Sequence, residues 1–113
     1  MPLYERTKRW LRRNYPCPFT VRIRRKDASD AVMSGARGWF MADRDDAVIY
    51  IAGGCDVGMA ETLIEEWAHA LRHAMPMPVD YDVEPHDPLF WATYGLITND
   101  WRQSFFGESH EAF

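Results

Sequence analysis

Thr62-Leu63-Ile64-Glu65-Glu66-Trp67-Ala68-His69-Ala70-Leu71-Arg72-His73 is the stretch from which the rest of the chain is best read. It lies inside Met59 to Met75, a run free of Gly and Pro, rich in Ala, Leu and Glu, and preceded by Asp56 and Gly58. Such a composition predicts a helix of four to five turns, stopped by Pro76 and Pro78. On a helix, residues four apart project from nearly the same side about 6 Å along the axis, so Glu65 and His69 can converge on one ion. Glu66 stands beside them as a carboxylate able to take a proton from water without ligating the ion itself. A helix supplies only two ligands, and His86 is the remaining His before the tail residue His110. His73, four residues beyond His69, competes with Glu65, but about 12 Å along the axis separates those two. A His69 and His73 pair would leave no carboxylate beside the water, so Glu65 with His69 is the pairing that gives a reactive site. The alternative is a solvated face of Glu65, Glu66, His69 and His73 opposite Leu63, Trp67, Ala70 and Leu71.

Outward from this helix, Asp87-Pro88 reads as an N-cap followed by the Pro that suits a first helical position. Leu89, Phe90, Tyr94, Ile97 and Trp101 form the stripe of a last helix running to about Ser104. Trp67, Trp91, Tyr94 and Trp101 read as core, with Tyr94 also a candidate hydrogen-bond donor to an oxyanion. Asp80, Asp82 and Glu84 read as a solvated loop without the Gly and closing Glu of a calcium loop. Towards the N-terminus, Gly38 to Ala42 and Ala47 to Ala52 flank Asp43-Arg44-Asp45-Asp46 as a hairpin ended by Gly53-Gly54. Phe19, Val21 and Ile23 alternate with Thr20, Arg22 and Arg24 as a half-buried strand with a basic outer face, and Lys26 to Gly35 reads as a loop. Leu3, Tyr4, Thr7, Trp10, Leu11 and Tyr15 mark an amphipathic helix ending before Pro16. The order helix, three strands, helix, helix indicates an α+β fold with a small sheet, antiparallel or mixed, covered on one side.

A chain of 113 residues and 13.2 kDa makes one domain, residues 1–113. Apolar residues at 47% and charged residues at 27% exclude a disordered chain. No apolar run reaches the roughly 20 residues of a membrane span, so no membrane partner is expected and the default is a cytoplasmic protein. Cys17 and Cys55 fit neither a disulfide framework nor a Cys-type metal site. The charge is unevenly spread: residues 1–26 carry nine Lys or Arg against the single acid Glu5, whereas residues 27–113 carry four against sixteen acids. The Arg residues fall at helix and strand periods, which favours a solvated face over a nucleic-acid arm and leaves nucleic acid as a weakly supported partner.

Leu63-Ile64-Glu65-Glu66-Trp67-Ala68-His69-Ala70-Leu71 resembles the active-site helix of the zincin metallopeptidase superfamily, whose pattern is H-E-x-x-H between apolar and small residues. His86-Asp87-Pro88-Leu89-Phe90-Trp91 is similar to the third-ligand region of the SprT-like branch, in which a His opens a further helix. Small phage- and prophage-encoded members share this short layout. The resemblance covers residues 47 to 101 and reaches the N-terminal part only by element order. It implies a minimal zincin-like fold with an N-terminal helix, a three-stranded sheet, an active-site helix and a C-terminal helix. It also implies a Zn²⁺ cofactor, a polypeptide substrate, and Ala47 to Ala52 lining the cleft as an edge strand. Position by position, His69 matches the second helical ligand, Glu66 the general base and His86 the third ligand, while Glu65 stands where the family has its first His. The motif is thus a variant, E-E-x-x-H. Glu65, His69 and His86 make a His₂Glu set of the kind that binds zinc, but the anionic Glu65 makes a bound water a weaker acid. The expected function is a zinc metallopeptidase that hydrolyses peptide bonds with a metal-activated water and Glu66 as general base. The alternative is an inactive zincin-fold domain that binds metal or a protein partner, with its basic N-terminal segment as a contact for nucleic acid.

Overall fold

The computed structural model describes residues 1–27, 29–30, 33–43, 46–75 and 86–107. It contains α1 (Leu3–Asn14), β1 (Thr20–Lys26), β2 (Gly38–Asp43), β3 (Asp46–Ala52), α2 (Asp56–Ala74) and α3 (Pro88–Phe106). This is the α+β layout read from the sequence. The sheet has the order β1-β3-β2, with β1 parallel and β2 antiparallel to β3. Position Ala28, positions 31–32, Arg44 and Asp45 in the hairpin, the acidic stretch Asp80, Asp82 and Glu84, and His110 lie outside the described residues.

The topology corrects one expectation. Ala47 to Ala52 belong to β3, which pairs on both sides, from Val21↔Ala47 to Lys26↔Ala52 with β1 and from Gly38↔Ile51 to Ala42↔Ala47 with β2. It is the central strand, so its backbone donors and acceptors are already paired and none is left for an extended peptide. The edges are β1 and β2. The composition of β3 carries the physical reason: Val48-Ile49-Tyr50-Ile51 holds no charge, as suits a strand with neighbours on both sides, whereas β1 carries four Arg or Lys at an edge.

Strand alternation divides the sheet into two faces. Val21, Ala47, Ile49 and Ile51 turn inward and are buried. On that side lies α2, which contributes Met59, Ala60, Leu63, Ile64, Trp67, Ala68 and Ala70 to the core. Because α2 contacts α1, α3, β2 and β3, it is apolar over most of its circumference. What remains open is the row Glu61, Glu65, His69 and His73, all half-buried or exposed. Met33, in the segment read as a loop, is also fully buried.

The helix ends are secured in ways that position the later site. At the N-terminus of α1 the cap residue is Pro2, which offers no side-chain acceptor. The Asp56 carboxylate takes that role from α2, accepting the Leu3 and Tyr4 amides at 2.7 and 2.8 Å. Asp56 thus satisfies the first amides of α1 while placing a negative charge at the positive end of α2. The indole of Trp67 donates to the Tyr15 carbonyl at 2.8 Å and that of Trp101 to Thr7 Oγ1 at 2.9 Å, which pins α1 against both other helices. At α3, Asp87 accepts the Phe90 amide at 2.8 Å, Pro88 follows the cap, and Gly107 ends the helix in the left-handed conformation with φ 63°.

Gly38 lets β2 pass close over α2. A Cβ at this position would lie 2.6 Å from Thr62 Cγ2 and 2.7 Å from a carboxylate oxygen of Glu66. Gly38→Ala should therefore destabilise the fold by about 1–3 kcal/mol through overpacking. Thr62→Ser, which removes the nearer methyl but keeps the hydroxyl that donates to the Gly58 carbonyl, should recover part of the loss. Urea denaturation of the two single variants and the double variant tests the coupling. Independent, additive effects would show that the close approach is not what makes glycine necessary.

Candidate active site

The site is built from the open row of α2 and the start of α3. An α-helix has 3.6 residues per turn, so a row of residues four apart drifts by about 40° at each step. Glu61 to His73 therefore sweeps from the α3 side towards the sheet. The two ends show the sweep: Glu61 acts electrostatically on Tyr94 of α3, whereas the His73 ring lies 5.8 Å from those of Phe19 and Phe40. His73 is thereby drawn to the strands. Of the two candidates to share His69, the structure leaves Glu65 nearer the α3 side, where its charge acts on Tyr94 and Glu66.

His69 and His86 come together, with ring centroids 4.9 Å apart. Phe90, fully buried one turn into α3, stacks on His69 at 4.2 Å and an interplanar angle of 23° and lies 4.8 Å from His86. Trp91 flanks His86 at 5.6 Å and Tyr94 at 6.0 Å. It is 54% exposed, so it rims the site instead of joining the core as its spacing suggested. Tyr94 is half-buried, with its phenol pushed up by burial and next by the Glu65 charge, which keeps it a hydrogen-bond donor.

What fixes this meeting is an ion pair that sequence spacing did not reveal. Arg72 Nε donates to both oxygens of Asp87 at 3.0 and 2.9 Å, and its Nη2 donates at 2.7 Å to the second. The Arg72 side chain is almost wholly buried. Asp87 thus caps α3 and grips α2 at once, and His86 is its immediate neighbour. Such a fork fixes orientation as well as distance. The N-cap was legible in Asp87-Pro88; its long-range partner, 15 residues earlier, follows no local period.

The titratable groups carry the strain of this packing. Burial, and next the adjacent Glu65 charge, push the Glu66 carboxyl up to about 7. Glu66 is 5% exposed, and it therefore does not belong to a solvated helix face. Burial, and next the neighbouring His86, hold the His69 imidazole down to about 4, so at neutral pH it carries a free nitrogen lone pair. A neutral imidazole beside a second one, with carboxylates one turn away, is the donor chemistry that zinc takes as a His₂Glu set. The set fits in kind, and two donors already adjoin. Among the described residues, no three His, Cys, Asp or Glu side chains stand as a group that would hold a metal ion. Comparison of the chain with protein-family models, curated proteins and solved structures finds no match.

The Glu66 shift has a measurable consequence in metal-free protein. Its folded value of about 7 lies above the usual 4.5, so between these values the folded state binds more protons than the unfolded one. Its contribution is therefore most favourable below pH 4.5 and is lost as pH rises through 7. Glu66→Gln abolishes this dependence. In chelator, the variant should exceed the parent in stability at pH 8 by on the order of 2 kcal/mol, with the gap closing towards pH 4.5. His69 changes in both proteins alike and cancels. A gap that stays constant with pH would show that the carboxyl is not perturbed.

Proposed function

We propose that the chain is a zinc-dependent hydrolase of peptide bonds, of zincin type, with Glu65, His69 and His86 as the donors to the ion and Glu66 as general base. The observation that carries this reading is the meeting of His69 and His86 at 4.9 Å, brought about by the Arg72–Asp87 pair and the Phe90 ring. When bound, the ion supplies a Lewis acid that polarises the scissile carbonyl and acidifies water. Glu66, with a carboxyl near neutrality, is suited to take the proton of the attacking water and return it to the leaving amine. Tyr94 is suited to donate to the carbonyl oxygen as negative charge develops there. Glu65 completes the donor set by turning towards the imidazole pair, and that step is the reading's demand on the chain. With β3 paired on both sides, an extended substrate would add to the free edge of β2, the strand that passes over Glu66.

A second reading is favoured by the missing third donor among the described residues: a metal- or partner-binding module without hydrolysis. The two separate in one set of measurements. The parent should take up one zinc per chain and cleave an unstructured polypeptide. Glu66→Gln should keep the zinc and cleave at least about 100-fold more slowly. Glu65→Ala and His86→Ala should lose stoichiometric zinc, and Arg72→Gln should weaken zinc binding by about 10- to 100-fold by releasing His86 from its position. Full zinc in both ligand variants would dismantle the donor assignment. Stoichiometric zinc with no cleavage by the parent would leave the second reading standing.

A further inference from the structure

The opposite face of the sheet carries a separate surface. Strand parity turns Arg22, Arg24 and Lys26 of β1 outward together with Val48 and Tyr50 of β3 and Trp39 and Met41 of β2. The register places Arg24, Tyr50 and Trp39 side by side in one row across all three strands. Trp39 is 41% and Met41 49% exposed, and Tyr50 is half-buried. Among the described residues no helix packs on this side, since α2 lies against the inward residues of β2 and β3. Trp39 on the edge strand is exposed and Tyr50 beside it on the central strand is only partly covered. Arg22 is held by Asp46, the Arg24 guanidinium donates to the Ile23 carbonyl at 3.3 Å and forms no ion pair among the described residues, and the Lys26 ammonium lies 5.5 Å over the Tyr50 ring.

We infer that this outward face binds a single strand of nucleic acid, with Trp39 and Tyr50 stacking successive bases and Arg24 and Lys26 contacting the phosphates beside them. The chain is acidic overall, yet the outward β1 positions Arg22, Arg24 and Lys26 are cationic. Rings on adjacent strands about 5 Å apart offer flat surfaces that any exposed base can cover, and stacking of this kind tolerates sequence. A duplex buries its base faces and cannot use the rings. The surface lies on the far side of the sheet from Glu66 and His69, so the inference does not rest on hydrolysis.

The test is fluorescence anisotropy of a labelled 12-nucleotide oligothymidine with the full chain. Binding should weaken with salt at a log–log slope of about −1.5 to −2, as expected for two to three phosphates on a single strand. Trp39→Ala should weaken it about 5- to 100-fold, the range for loss of one stacked base. Arg24→Ala with Lys26→Ala should weaken it at least tenfold and flatten the salt slope. Both sets of substitutions are at exposed or half-exposed positions, and circular dichroism of each variant serves as the check on folding. Arg6→Ala, Arg9→Ala and Arg13→Ala together, which remove more charge from exposed positions of α1, should change the affinity by no more than about twofold. Glu66→Gln should bind as the parent does. The inference is overturned by no binding at 50 mM salt, by a Trp39→Ala affinity equal to the parent's, or by α1 variants losing as much as the sheet variants. Tighter binding of duplex DNA overturns it equally.

Discussion

The clasp between Arg72 and Asp87 is the constraint on which the candidate site depends. Three hydrogen bonds join the two side chains, and one oxygen of Asp87 also accepts the Phe90 amide. A residue that caps one helix and is gripped by another leaves its neighbours little freedom. His86 precedes it and Phe90 lies three residues beyond, so both are delivered to His69, which sits three residues before Arg72. Ion pairs taken out of water add little net stability, because desolvation offsets the attraction, but they penalise every arrangement in which a partner is left alone. Among the described residues Arg72 Nη1 is buried with no hydrogen-bond partner, so the arrangement carries a cost. The pair acts here as a device for orientation.

A second tension lies at Glu66. The fold places a carboxylate beneath Gly38 at the edge of the sheet, where burial opposes its ionisation and Glu65 opposes it further. A chain selected for stability alone would place an apolar residue at this point on α2, next to Trp67 and Leu63. Perturbed carboxyls also arise in purely structural networks, but those are paired, and Glu66 is pushed up by another carboxylate instead of being relieved by a cation. The same holds for His69, which burial and the neighbouring His86 both depress. Two groups displaced towards neutrality from opposite directions, three residues apart on one helix, make a proton donor and a lone-pair donor available at the same pH.

Much of this was legible in the sequence, for reasons that particular residues make clear. The absence of Gly and Pro from 59 to 75 and the cap Asp87-Pro88 are local signals, and α2 and α3 begin and end within a few residues of where these place them. Phe19, Val21 and Ile23 alternate because β1 has one buried face. The helical spacing of Glu65, Glu66 and His69, with His86 ahead of the next helix, identified the cluster whose imidazoles adjoin. What escaped was non-local. The Arg72–Asp87 pair and the close approach of Gly38 to α2 each depend on segments apart in sequence. The central position of β3 was signalled by its uncharged run, but strand order follows from packing against α2 and not from any one strand's period. Trp91 was read as core because its apolar neighbours share its spacing, yet the drift of α3 turns it outward.

The division of the sheet into two faces also resolves the uneven charge of the chain. The nine basic residues of the first 26 positions do not form one patch: α1 lies along the β1 edge, where Arg12 donates to the Val21 carbonyl at 3.0 Å and the Arg25 guanidinium stands 5.9 Å over the Tyr4 ring. These two cations serve packing, and their cost of immobilisation is met by contacts within the fold. Arg24 and Lys26, one residue to either side of Arg25, face the other way purely because strand residues alternate. A shift of β1 by a single residue would exchange the two sets, sending the packing cation outward and the free ones into Tyr4 and the core. The register with β3 that buries Val21 against α2 is therefore what sets cations beside Tyr50 and Trp39 on the far side. Core packing and the cationic face are consequences of one alignment of strands.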